Sequence, residues 1–179
     1  MNLASLTDTQ YGLLFDVRRS ARYHERRRAF FESLHRLTSF FTILLAGGVL
    51  FELAGTGSPA RWLQCIGLFA AALAATDLIV GFAARATQHA GLRARFVDLE
   101  MAMARGGTDE TAWQAHRLAR LAIERDEPPI YRALDLLCRN EMLQAEGFSS
   151  EQQPGHFVQV GRWQRLTSQV WHWQNLSVS

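Results

Sequence analysis

Residues 37–84 form a stretch of 48 with three charges, Glu52, Arg61 and Asp77, while the other 131 residues carry 33 of the chain's 36. A segment of that length without charge requires an apolar surrounding, and the remainder requires water. The stretch divides into two runs. The first, LTSFFTILLAGGVLFELA at 37–54, has 18 residues, within the ~17 to 25 that cross a bilayer core. The second, WLQCIGLFAAALAATDLIVGFAA at 62–84, has 23 residues with Asp77 as its one charge, and reaches about 34 Å at helical rise. GTGSPAR between them, with Gly55, Gly57, Ser58 and Pro59, is short enough to force an antiparallel hairpin. A helix in a soluble bundle usually keeps one polar face, and neither run has one. The pattern therefore predicts two transmembrane helices, the buried hairpin of a soluble bundle being the alternative.

The basic residues narrow the chemistry. All 19 are arginine, so no lysine exists to form a Schiff base, hold a phosphate loop or act as a base. That excludes P-loop NTPases, protein kinases and pyridoxal enzymes. A net charge of +2 gives no footprint for nucleic acid. Cys65 and Cys138 lie in dissimilar surroundings, and the six histidines form no CxxC, HxxxH or HExxH pattern, so neither a disulfide framework nor a metal site is expected. No cofactor is implied.

Arginine placement orients the hairpin. Seven arginines precede the first run, Arg61 alone occupies the turn, and Arg85, Arg93, Arg95 and Arg105 follow the second run, which places both termini in the cytoplasm. An apolar segment that starts at residue 37 behind a charged helix is not a cleaved signal peptide. Leu3, Leu6, Leu13, Leu14, Val17, Ala21 and His24 recur at helical spacing, so residues 1–36 read as an arginine-rich amphipathic helix beginning near Ser5. Arg18, Arg19, Arg22, Arg26, Arg27 and Arg28 either lie on anionic headgroups or form a solvated face that sets topology.

Residues 85–147 read as a cytoplasmic helical region. The second run continues past Arg85 as one rod, with Gly91 as a possible bend, to Gly106 and Gly107. Thr108 reads as the N-cap of a helix running to about Asp126. Pro128 and Pro129 end it, Pro129 suiting the first turn of a helix with Ile130, Leu134, Leu137, Cys138 and Met142 on one face. Residues 106–147 carry eight acids and five arginines, a net of −3, against +3 for residues 1–36. The two segments either dock electrostatically or are separately solvated. In the tail, 148–179, Trp163, Leu166, Val170 and Trp173 share a stripe near Arg162, Arg165 and Trp171; it lies in a membrane interface or packs on protein.

Gly67, Ala70, Ala74, Asp77, Gly81 and Ala84 make a narrow small-residue stripe along the second run, and Thr38, Thr42, Leu45, Val49 and Glu52 share a face of the first. Small residues allow close helix approach, and an acid at membrane depth faces a bundle interior or water. The stripe is read as pore lining or as helix packing. No nucleophile, base and orienting group stand at recognisable spacing, so no catalytic residue is expected and the protein is read as a non-enzyme.

The segments ARYHERRRAFFESLHRLTSFFT, LRARFVDLEMAMAR and PPIYRALDLLCRNEM, with the tight hairpin between the first two, resemble the SLATT family over roughly residues 10–147. These are two-transmembrane effectors associated with SMODS nucleotide cyclases and SLOG sensors in bacterial conflict systems. The resemblance implies an all-α membrane protein of the bacterial inner membrane, a homo-oligomer that forms a pore or perturbs the bilayer. It further implies a trigger from a partner, such as a cyclase or sensor of the same system, and depolarisation that aborts phage infection. A non-conducting anchor that recruits a cytoplasmic partner through its helices is the alternative.

Overall fold

A computed structural model describes residues 6–56, 61–107, 109–149 and 154–173, and among these the regular structure is helical. Leu3, Thr108 and the hairpin turn at 57–60 lie outside the described residues, as does the side chain of Glu52. The first helix, α1 (Asp8–Thr56), is 49 residues long and joins the charged and apolar segments without a break. Its start is fixed by a reciprocal cap: the Gln10 amide donates to Thr7 Oγ1 at 3.3 Å, and the Thr7 amide donates to Gln10 Oε1 at 3.1 Å. The helix thus begins slightly later than its periodicity alone suggests.

The second run forms α2 (Arg61–Val80), and α3 (Phe82–Arg105) follows immediately. The rod bends at Gly81, whose φ of +66° only glycine adopts without strain, and not at Gly91, which α3 passes in regular geometry. The Arg85 Nε donates to the Val80 carbonyl at 2.9 Å, supplying a donor beside the irregular turn.

The chain folds as two compact units. One comprises Arg28–Gln88 and contains the apolar hairpin. Within it, Phe31 lies near Phe82, His35 meets Asp77, and Val49 lies beside Gly67, so numbers fall on one helix as they rise on the other and the pair is antiparallel. Leu63 and Ala70 are buried in this seam, and Phe31, Phe82 and Ala86 close its charged end.

The other unit comprises Met1–Arg27 and His89–Ser179. Leu13, Leu14 and Val17 of α1 pack with Leu92, Phe96, Leu99 and Met103 of α3, and with Trp113 and Ile123 of α4 (Glu110–Glu124). Asp109 caps α4 by accepting from the Ala112 amide at 3.2 Å. The next helix, α5 (Arg132–Ala145), begins after Tyr131; Pro129 and the exposed Ile130 precede it, because the two prolines hold an extended segment. Leu134 and Cys138 of α5 close over Tyr23, whose hydroxyl accepts from the Tyr131 amide at 3.0 Å.

The opposite net charges of residues 1–36 and 106–147 are realised as contacts. Arg120 Nη1 lies 2.7 Å from Asp16, Arg19 Nη1 3.2 Å from the same carboxylate, Arg19 Nε 3.1 Å from Asp135, and Arg26 2.5 Å from Glu141. Asp16 and Arg19 thereby link α4, α1 and α5. Burial raises the Asp135 carboxyl despite Arg19; for Arg120 burial acts downward, but Glu124 and Asp16 outweigh it and raise the guanidinium.

Burial is the leading cause that raises both the Cys138 thiol and the Tyr23 phenol to about 12, from ordinary values of 9.0 and 10.0. The unfolded chain releases these protons first, so their stabilisation is complete below the ordinary values and is lost as pH rises toward 12. The unfolding midpoint is expected to fall above about pH 9, and Cys138→Ala to delay the onset of that fall toward about pH 10, where the phenols begin to contribute. Denaturation followed by circular dichroism across alkaline pH measures both.

Candidate functional site

Helical spacing decides which parts of the two apolar runs meet. Along the first, Thr38, Thr42, Leu45 and Val49 are partly shielded, while Phe40, Ile43, Leu44 and Leu50 are exposed. Along the second, Leu63, Gly67, Ala70, Asp77 and Gly81 turn inward to differing degrees, whereas Ala74 and Ala84 remain exposed. Gly67 faces Val49 across the two helices: a Cβ built there would stand 4.0 Å from Val49 Cγ2, an ordinary contact. Much of the small-residue stripe is therefore the seam of the hairpin.

Asp77 has a partner that spacing alone does not reveal. His35 Nδ1–H donates to Asp77 Oδ2 at 2.8 Å, with side-chain exposures of 42% and 19%. His35 stands two residues before the charge-poor stretch, and Asp77 fifteen residues beyond Trp62, about 22 Å along a helix. The acid thus sits toward the charged end of the hairpin and not at its middle. One step away, the pair opens into a cleft of 550 Å³ lined by His35, Ser39, Thr42, Ala74, Asp77 and Gly81. Thr38 uses its hydroxyl within α1, donating to the Leu34 carbonyl at 2.9 Å, but Thr42 Oγ1 is buried without a hydrogen-bond partner. A carboxylate, an imidazole and an unsatisfied hydroxyl on one wall can exchange a proton and coordinate water or a cation.

The arginines expected at a membrane surface are engaged by protein to a large extent. Arg18 pairs with Glu100 at 2.7 Å; Arg19 and Arg26 pair with acids of α5; Arg27 donates to the Gln169 carbonyl at 2.5 Å and lies 4.2 Å from the Tyr131 ring centre. Arg22 is exposed, and Arg28 is half-buried. The tail stripe is divided: Trp173 packs near Ala133, Leu136 and Val158, whereas Trp163 and Trp171 remain 76% and 63% exposed.

A second polar cluster lies in the core of the other unit. His24 is 0% exposed and His89 3%, and their Nδ1 atoms stand 2.9 Å apart. His24 Nε2 lies 3.1 Å from Glu127 Oε1, and the imidazole stacks on Phe96 at 5.6 Å. One Nδ1 must carry a proton and the other must not, so the pair shares a single hydrogen along that line while Nε2–H faces the carboxylate. Sequence periodicity placed His24 on the apolar face; nothing in the spacing indicated that His89 and Glu127, 65 and 103 residues away, would satisfy it. The helix ends in a turn at Arg125 and Asp126, and Pro128 keeps Glu127 from continuing it.

No family model, curated protein or solved structure matches the chain.

Replacing His24 with Ala removes the partner of a carboxylate only 6% exposed and opens a cavity beside Phe96. A loss on the order of 3 kcal/mol is expected for His24→Ala. Glu127→Gln, which keeps an acceptor for Nε2–H, is expected to cost about 1 kcal/mol. Thermal unfolding of the detergent-solubilised chain, followed by helical circular dichroism, compares the two.

Proposed function

We propose that this chain is an oligomeric pore-forming or membrane-perturbing effector of a bacterial anti-phage defence system, with its hairpin in the inner membrane and both termini in the cytoplasm. The carrying observation is the outer surface of the hairpin. Ile43 is 73% exposed, Leu68 74%, Leu78 85% and Ile79 83%, a burial pattern opposite to that of a soluble core helix. Two helices are long and apolar enough to cross a membrane, with 0% and 11% of their apolar windows buried within the chain. Lipid or identical neighbouring hairpins would cover that surface.

In this reading the cytoplasmic unit assembles the subunits and responds to the trigger, a partner protein or a nucleotide signal, as the SLATT resemblance implies. The cleft containing His35, Thr42 and Asp77 faces the shared path near its cytoplasmic mouth. Several copies directing Asp77 inward would present an acidic ring, an arrangement that favours cations. Opening such a path depolarises the cell and ends infection before phage mature.

One observation favours a non-conducting anchor instead. Asp77 is already hydrogen-bonded to His35 of the same hairpin, and Gly67 and Ala70 already contribute to its seam. An anchor needs no more than this, and its cytoplasmic helices would recruit the partner.

Reconstituted in liposomes, the triggered protein is expected to release ions, and Asp77→Asn and Asp77→Leu are expected to change conductance or ion selectivity. Tight vesicles in every assembly state, with a strictly monomeric detergent complex, would establish the anchor.

A further inference from the structure

The tail has two faces of opposite character. Its inner face is fastened to the helices before it: Arg27 holds the Gln169 carbonyl, His172 stacks on Tyr131 at 3.8 Å, Ser168 is 3% exposed, and Trp173 packs near Ala133 and Leu136. Its outer face begins on α6 (Arg162–Thr167) and continues through the turn in which the Trp171 amide donates to the Thr167 carbonyl at 2.9 Å. Trp163, Leu166, Val170 and Trp171 stand there 76%, 74%, 67% and 63% exposed, and α6 contributes no buried residue at all. Such large apolar side chains held outward by a fastened backbone mark a surface with an external partner.

We propose that this face lies in the headgroup layer of the bilayer that holds the hairpin, an inference that rests on the membrane reading above. Three observations select lipid as the occupant. The indole N–H groups of Trp163 and Trp171 have no acceptor among the described residues, and the ester and water layer of a membrane supplies one while accepting the rings. Exposed Arg162 and Arg165 flank the patch, complementing anionic phosphates. Finally, Arg27, which fastens the tail, precedes the apolar run at residue 37 by ten residues, so the chain itself limits the tether to about 35 Å even when fully extended. The patch is kept within reach of the surface.

The five tryptophans provide the test. The full chain is reconstituted in vesicles of zwitterionic and anionic phospholipid, with either plain or acyl-brominated chains, and lipid-dependent loss of tryptophan emission is measured. Trp113, 2% exposed, supplies an unquenched background with Trp173, and Trp62, 59% exposed at the start of α2, reports hairpin insertion. Trp62→Phe leaves Trp163 and Trp171 as reporters; Trp163→Phe with Trp171→Phe leaves Trp62; the triple variant gives the background. Circular dichroism confirms that these surface replacements leave the helices intact. Bromine-dependent loss of emission from both reporters supports the inference. Loss from Trp62 alone overturns it and assigns the patch to a protein partner or a second copy. Loss from the tail alone upholds the tail contact while removing the inserted hairpin, and loss from neither removes both.

Discussion

A helix satisfies its own backbone, and that is the condition on which the rest of this molecule depends. Forty-eight residues with almost no charge have no polar face to offer water, and in an apolar medium an unpaired peptide group costs several kcal/mol. Continuous helices on either side of the turn meet this condition locally. Side chains are then free to divide the work: Leu63, Ala70, Gly67 and the threonines make the seam between the two helices, and Ile43, Leu68, Leu78 and Ile79 are left for whatever surrounds them. Among the described residues of the two helices, regular geometry is interrupted at Gly81, where an arginine side chain supplies a donor beside the bend.

The unit comprising Met1–Arg27 and His89–Ser179 follows a different rule. Its helices are short on apolar surface and rich in charge, and they close by combining a modest core with crossing ion pairs. Individually, half-exposed pairs contribute little. Asp16, Arg19, Arg120 and Asp135 form a connected set spanning three helices, so their value lies in register: shifting α1 by one residue breaks its pairs with both α4 and α5. The buried His24, His89 and Glu127 impose the same condition inside the core, where a misplaced hydrogen cannot be rescued by solvent.

The sequence makes the hairpin, the amphipathic face and the helix order legible because these depend on periodicity and on where charge is missing. Leu13, Leu14, Val17 and His24 are buried as their spacing requires. Partner choice is not legible in this way. Nothing in LTSFFTILL announces that His35 just before it will hold Asp77, since the match depends on the antiparallel offset set by the turn and the bend. Helix starts are shifted for a smaller reason: the box that Gln10 completes with Thr7, and the Asp109 cap, are decided by one or two hydrogen bonds each. The tail is misread as a single stripe because Trp173 lies beyond the end of α6, where the helical period no longer applies.

Asn140 carries a consequence of its own. Its amide donates to the Val158 carbonyl at 2.6 Å and accepts from the Val158 amide at 3.1 Å, so one side chain stands in for the neighbouring strand that an extended segment normally requires. A strand ladder shares its load over many peptide groups, and fraying at one end leaves the rest in place. A ladder one rung long has no such reserve. The segment carrying Val158 is held by that amide, by Arg139 Nη1 donating to the His156 carbonyl at 2.8 Å and by the small apolar contact beside it, so it opens below the free energy that unfolds the helices.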